Sequence, residues 1–200
     1  MRSFFFKYRG MFFIPLAILI LFFGKPTMIS FLIGIFIAIL GELIRIWGVG
    51  YAGVTTRKDN VTAPFLVTAG PFAFVRNPLY VGNTITGLGF TVIACGQTHL
   101  FVTTIFFVLW AIFYFVVYGI IIPHEETFLK ETFGVPYKEY CEYVPRLIPN
   151  FKPYPKAQGH FDPKAIMAAE SRTLIQFVIF ALIMFFKLPQ GLLDGKLFFS

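Results

Sequence analysis

Residues Leu100–Ile122 read LFVTTIFFVLWAIFYFVVYGIII, 23 residues without a charge between His99 and Pro123. At about 1.5 Å of rise per residue, a helix of that length crosses the ~30 Å hydrocarbon layer of a bilayer. Just upstream, Pro78–Gly96 is equally free of charge, and only Gln97, Thr98 and His99 join the two runs. So short a link folds them back on each other as an antiparallel hairpin. Further out, Thr27–Gly50 is also long enough to span. Met11–Phe23 is short, and spans only by drawing in Phe4–Phe6 while Lys7 and Arg9 reach back to the head groups. Gly24-Lys25-Pro26 follows it as a tight turn where a cleaved signal peptide would show a small-x-small site, so this run is read as a retained first helix. A fifth run, Thr173–Leu188, has a length that suits either spanning or lying on the surface.

Composition agrees. Of the 200 residues 57% are apolar and 14% charged, with a mean hydropathy of +0.75, against roughly 45–50% and about 25% for a soluble domain. The expectation is one all-α integral membrane domain over 1–200, a bundle of about five transmembrane helices. Two cysteines exclude a disulfide-stapled secreted module.

Loop charges orient the bundle. With the N-terminus inside, fourteen of the seventeen basic residues fall in cytoplasmic segments, and only Lys25, Lys187 and Lys196 lie outside. This asymmetry accounts for the net charge of +7 without a nucleic-acid partner. It puts both polar segments, 51–77 and 123–172, on the cytoplasmic face, with 150–172 read as a linker.

Two glycine trios stand at seven-residue spacing: Gly34, Gly41 and Gly48 in the second run, Gly82, Gly89 and Gly96 in the third. Seven residues are almost two turns, so each trio lies on one helix face. Small residues on a face let membrane helices approach closely, which predicts that these two helices pack through their glycines.

Several motifs carry no chemistry. Gly48-Val-Gly50-Tyr-Ala-Gly53 has dinucleotide-loop spacing but follows a membrane run, and Gly70 stands where the ribose-binding acid belongs. His124-Glu125-Glu126 lacks a second His at Phe128, so no zinc helix and no metal is expected. Cys95 and Cys141 lie at opposite ends of the bundle.

Polar chemistry gathers elsewhere. Asn77 as N-cap and Pro78 at the first helical position start the third helix at the cytoplasmic interface, with free N–H groups and the positive dipole end beside Arg76. That grouping suits a carboxylate or phosphate. Pro123 is expected to end the fourth helix, and Glu125-Glu126 to open a short amphipathic one closed by Gly134. Those acids suit either a helix dipole or a ligand ammonium. A second short helix from Pro136 spaces Tyr137, Tyr140 and Tyr143 three apart, as interfacial anchors or ligand-stacking rings. Glu42 and Arg45, three apart in the second run, are costly in lipid and face the bundle interior, as an ion pair or as lining of a substrate path.

These pieces in this order resemble one family: Leu66-Val67-x-x-Gly70-Pro71-Phe72, Arg76-Asn77-Pro78-Leu79-Tyr80-x-Gly82, an apolar hairpin, Glu125-Glu126-x-x-Leu129, Phe133-Gly134-x-x-Tyr137-x-x-Tyr140 and Val144-Pro145-Arg146-x-x-Pro149. The likeness is to the isoprenylcysteine carboxyl methyltransferases, relatives of the phospholipid N-methyltransferases. It covers residues 66–149, with a fainter echo at Gly41-Glu42-Leu43-Ile44-Arg45. The resemblance implies methyl transfer from S-adenosylmethionine to a lipophilic, membrane-embedded acceptor, in a cytoplasmic pocket built from helix ends and short amphipathic helices. It implies Arg76 and Glu126 as catalytic residues, Glu126 being the base if the acceptor is an amine. Val67, Gly70, Pro71, Phe72, Asn77, Pro78, Tyr80, Glu125, Tyr137 and Tyr140 would contact the donor, and Glu42, Arg45 and Arg146 the lipid's path. Many relatives carry His where Asn77 stands, so no proton transfer carries over to position 77. A phospholipid amine N-methyltransferase, a sterol-type reductase and a non-enzymatic lipid-binding protein are the alternative readings.

Overall fold

The computed structural model describes residues 13–53 and 65–188. Among these the chain is all helical: α1 (Ile14–Phe23), α2 (Met28–Ala52), α3 (Pro78–Ala94), α4 (Leu100–Phe133), α5 (Val135–Tyr143) and α6 (Pro163–Phe186), with a short 3-10 turn at Gly70–Ala73. By length and composition α2, α4 and α6 are able to cross a membrane. Their outer faces leave Leu32, Phe36, Ile112, Phe115, Ile175 and Val178 exposed, as a lipid-facing surface requires. This is an all-α membrane protein. Of the five apolar runs, three lie in helices that meet that length, the fifth, left open between spanning and lying on the surface, among them; α3 has 17 residues and α1 ten. Phe4–Phe6, Lys7 and Arg9, invoked for the first run, lie outside the described residues, as do Arg57, Lys58 and Lys196.

Helix α2 begins at a capping box in which Thr27 and Ser30 satisfy each other's backbone N–H groups. The glycine faces then meet. A Cβ on Gly34 would stand 2.5 Å from the Gly89 carbonyl oxygen, and one on Gly41 2.7 Å from that of Gly82. Gly96 abuts the Thr27 N–H at 2.3 Å in the same sense. Backbone lies on backbone at these points, while Gly48 packs on the Leu79 side chain, so α2 and α3 are antiparallel and in close contact, as the heptad spacing predicts.

Two boundaries differ from the sequence reading. Pro123 does not end the fourth helix, which continues to Phe133. Pro123 has no N–H for the Gly119 carbonyl, but fully buried Ile121 and Ile122 hold the chain in register on the bundle, and the Thr127 hydroxyl bonds the Pro123 carbonyl at 2.8 Å. Such packing is how membrane helices tolerate proline. Glu125 and Glu126 therefore ride on a 34-residue rod and do not sit in a first turn as dipole partners. Gly134, at φ +57°, ends the rod and turns into α5. Secondly, α6 begins at Pro163, ten residues before the expected fifth run, with Asp162 capping the Lys164 N–H at 2.9 Å. Helical structure thus takes in Glu170 and Arg172 from the stretch read as linker.

Helix α6 runs back along α2. Asp162 N–H bonds the Gly50 carbonyl at one end, and Phe185 meets Phe31 at the other. The end of α2, the starts of α3 and α6 and the polar end of α4 consequently share one end of the bundle, which gathers both polar segments.

Candidate active site

At that end the approach to α3 is laced to the chain that follows α5. Arg76 N–H bonds the Pro145 carbonyl (2.9 Å), Asn150 N–H that of Phe74 (2.8 Å), and Tyr154 N–H that of Ala73 (2.9 Å). Thr68 and Ala69 both donate to the Gln158 carbonyl. Underneath, Tyr137, Tyr140 and Val144 form a buried cluster with Leu66, Leu129 and Phe133. The Tyr140 hydroxyl donates to the Phe72 carbonyl at 2.7 Å. Burial holds the Tyr137 and Tyr140 hydroxyls well above the usual tyrosine range, and for Tyr140 the neighbouring Arg76 charge opposes that in part. These two rings are walls of the site, not exposed interfacial anchors.

Two guanidinium groups close on one carboxylate. Arg146 reaches Glu126 through Nε (3.1 Å to each oxygen) and through a second nitrogen, 2.6 Å from Oε2. Arg76 stands 3.3 Å from Oε1. The bond from Glu126 pushes the Arg146 pKa up. Arg76 also donates to the Cys141 carbonyl at 3.4 Å, and its buried Nε has no hydrogen-bond partner. Asn77 departs from expectation: it occupies the N-cap position, but its side chain makes no cap bond. Its amide instead donates to the Arg146 carbonyl at 3.0 Å, which secures the loop bearing that arginine. Pro78 takes the first helical position as predicted. One turn further, the Tyr80 hydroxyl donates to Glu125 Oε1 at 2.5 Å.

Beside this cluster a groove of about 340 Å³ opens between α3 and α4. Its walls are largely apolar, with Val81 and Ile85 on one side, Phe115, Tyr118 and Ile122 on the other, and Arg146 and Leu147 at one end. Gly119 adds open space to the α4 wall, having nothing within 4 Å of where a Cβ would sit.

The structure thus brings Arg76, Asn77, Tyr80, Glu125, Glu126, Tyr137 and Arg146 together. Gly70 packs under the Tyr51 ring and Val67 beside Gly159, on the 158–161 side of the lacing; Pro71 is buried there too. Glu42 and Arg45 join a second cluster: Arg45 lies 3.5 Å from Glu42 and 2.6 Å from Glu170, and also bonds Asn83. Tyr114, Tyr118, Asn83 and Glu170 were not singled out in the sequence. Asn83 is a polar residue within an apolar run, which is the one signal it carries; Glu170 stood in the stretch read as linker and carried none. Gly48 and Gly50 are helical in α2, so the dinucleotide-loop spacing is coincidental. Among the described residues no group of His, Cys, Asp and Glu suited to a metal ion forms.

Residues 32–131, 100 of the 200, match the isoprenylcysteine carboxyl methyltransferase family. The chain belongs to that family. Its similarity to protein-S-isoprenylcysteine O-methyltransferase B of Arabidopsis thaliana is 31% identity over 122 residues, 58% of this chain and 57% of the plant protein. Against the Schizosaccharomyces pombe protein-S-isoprenylcysteine O-methyltransferase it is 42% over 104 residues, 51% of this chain and 40% of the yeast protein. The cobalt-zinc-cadmium resistance protein CzcN of Cupriavidus metallidurans is 30% identical over 123 residues, 62% of this chain and 49% of that protein. The chain thus spans about half the length of the relatives it matches. No solved structure matches it significantly. Glu125 and most of the groove lie inside the segment shared with the isoprenylcysteine carboxyl methyltransferases; Arg146, α5 and α6 lie beyond it.

Proposed function

We propose that this protein transfers a methyl group from S-adenosylmethionine to the carboxylate of an isoprenylcysteine-type acceptor, at a site facing the cytosol. One observation carries the reading: Arg146 belongs both to the polar cluster and to the end of the apolar groove. A lipid tail in the groove thereby brings its polar end to the cluster.

The residues present fit the donor. Arg76 Nε is a buried donor without a hydrogen-bond partner, next to the positive dipole end of α3, and it suits the donor carboxylate. Glu125 suits the ammonium, and the Tyr80 ring the sulfonium, by cation–π attraction worth about 2 kcal/mol when desolvated. When bound, the donor supplies an electrophilic methyl carbon, open to in-line displacement with a neutral thioether departing. The chain's own part is then to align two reactants and exclude water. Arg146 attracts the acceptor carboxylate and limits its approach to one direction, while the Phe115, Tyr118 and Ile122 wall keeps the tail dry.

An acceptor carboxylate arrives ionised and needs no base. An amine acceptor would need one, and both Glu126 oxygens already accept from guanidinium groups. That observation favours the carboxylate over a phospholipid amine. The cytosolic placement is supported by the basic residues of the polar end, among them Arg76, Lys130, Lys138, Arg146 and Lys156, against Lys25 and Lys187 at the other.

The test is label transfer. Purified protein is incubated with methyl-labelled donor and, separately, an S-prenylated cysteine with a free carboxylate and a phosphatidylethanolamine dispersion. Base-labile label on the prenylcysteine is expected. Label on the phospholipid amine alone would replace this reading with the N-methyltransferase one, and no transfer to either acceptor would remove both.

A further inference from the structure

The loop that carries Arg146 presents apolar side chains outward. Ile148 is 81% exposed and Phe151 95%, the two highest values among the large apolar side chains of the described residues. Neither is displayed by a slack chain. On one side of the loop Arg76 N–H bonds the Pro145 carbonyl and the Asn77 amide that of Arg146; on the other, Asn150 N–H bonds the Phe74 carbonyl. The Asn150 side chain also accepts from the Lys152 N–H at 3.2 Å, which turns the chain at Phe151. Apolar groups held outward together, rather than scattered singly, mark an interaction surface.

Position along the bundle says what that surface meets. Towards α2, the Phe74 ring packs on Trp47, centroids 6.3 Å apart. The outer face of α2 exposes Leu40 and Leu43, Trp47 is 43% exposed one turn further, and the Gly50 carbonyl then takes the polar Asp162 N–H. An exposed tryptophan where an apolar helix face gives way to polar groups marks a membrane–water boundary. Towards α4 the reading is the same. That helix exposes apolar Phe115 and Val116, then charged Lys130. Between those levels Leu147 lines the end of the groove and Arg146 binds Glu126. Both flanks put the loop at the same boundary.

We infer that the 146–151 loop is an interfacial anchor whose partner is lipid: Ile148 and Phe151 enter the leaflet at the polar end of the bundle, beneath its head groups. This surface does not depend on what the site methylates. Its consequence is one of depth. Arg146, held at head-group level by the loop, meets the polar end of an amphiphile in the groove without drawing it out of the leaflet.

The test uses the full chain, with Cys95 and Cys141 replaced by serine, in vesicles of phosphatidylcholine and phosphatidylglycerol. A nitroxide is attached in turn through Ile148→Cys, Phe151→Cys and Lys156→Cys. Its collisions are measured with oxygen, which concentrates in hydrocarbon, and with a water-soluble nickel chelate. Both loop labels are expected roughly 5–10 Å into the head-group and acyl boundary, the depth of interfacial apolar faces. Their oxygen-to-nickel ratio should then be severalfold above that at 156. Lys156, paired with Glu139 and with its side chain 71% exposed, carries the same apolar label and so shows what the label alone produces. Nickel access at 148 and 151 equal to that at 156 overturns the inference. Protection at only one of the two sites does the same, as does exclusion of both reagents. Dipolar broadening between like labels would put the loop against a second copy, which also overturns it. Should the serine background not fold, alanine at both partly buried cysteines takes its place.

Discussion

Arg146 and Glu126, twenty residues apart in sequence, meet in three hydrogen bonds of 3.1, 3.1 and 2.6 Å. They meet because α4 continues past Pro123 and carries Glu126 to where the loop after α5 crosses it. Arg76 completes the arrangement from a third element, on the opposite oxygen.

The two arginines should differ in weight. Arg146 is half exposed, so Arg146→Ala is expected to weaken donor binding by about 1 kcal/mol at most. Arg76 is 13% exposed and holds the buried Nε, so Arg76→Ala should cost about 1.5–3 kcal/mol, roughly ten- to a hundredfold in dissociation constant. Arg76→Lys should recover little, since an ammonium lacks the planar fork. Calorimetry in detergent ranks the variants, and normal binding by Arg76→Ala would sink the assignment.

The glycine seam makes a sharper forecast for stability. A Cβ on Gly41 would meet the Thr86 N–H at 2.5 Å, and one on Gly89 the Ala38 N–H at 2.5 Å. Backbone has no rotamer to move to, so even alanine there should destabilise, and leucine by at least the roughly 1–3 kcal/mol typical of overpacking. Gly119→Ala, added to open space, serves as the control. Thermal unfolding in detergent checks the series; equal melting temperatures for Gly41→Leu and Gly119→Ala would refute the packing argument.

Alkaline pH should loosen the α5 corner. Burial raises the Tyr137 and Tyr140 pKa values above their unfolded value of ~10. Below that value both hydroxyls are protonated in either state, and the stability they contribute is fully present. Above it the unfolded chain releases protons that the folded chain retains, so stability falls as pH climbs beyond ~10 toward the folded values. Unfolding temperature should decline there less steeply in Tyr137→Phe. An equally steep decline in that variant would assign the effect to other groups.

Orientation is open to chemistry. In a background with Cys95 and Cys141 replaced, a cysteine at exposed Lys156 should react with an impermeant thiol reagent only after the membrane is opened. Lys58→Cys should behave alike. Labelling in intact cells would reverse the orientation and move the site to the other side.

Much of this was legible because the signals are local and periodic. Glycines seven apart report a helix face, and Asn77-Pro78 reports a helix start without reference to the rest of the chain. What failed depended on neighbours distant in sequence. Pro123 reads as a terminator until Ile121 and Ile122 are known to be buried, and Asn77 reads as a cap until the Arg146 carbonyl is found within reach. Glu42 and Arg45 were recognised as an inward-facing pair, but their strongest partner, Glu170, stood in a stretch read as surface linker. No spacing rule links positions 45 and 170; only the return of α6 along α2 does.

The seam also decides which helices can part. With peptide groups stacked directly on peptide groups at Gly34–Gly89 and Gly41–Gly82, α2 and α3 are held at backbone distance, so the pair moves as a single plank. For the proposed acceptor, the border open to a tail from the bilayer is then the other side of α3, where the groove separates it from α4. A disulfide tying α2 to α3 should then leave turnover intact, while one tying α3 to α4 across the groove should abolish it. Turnover that survives the second tie would show that the tail comes by another route.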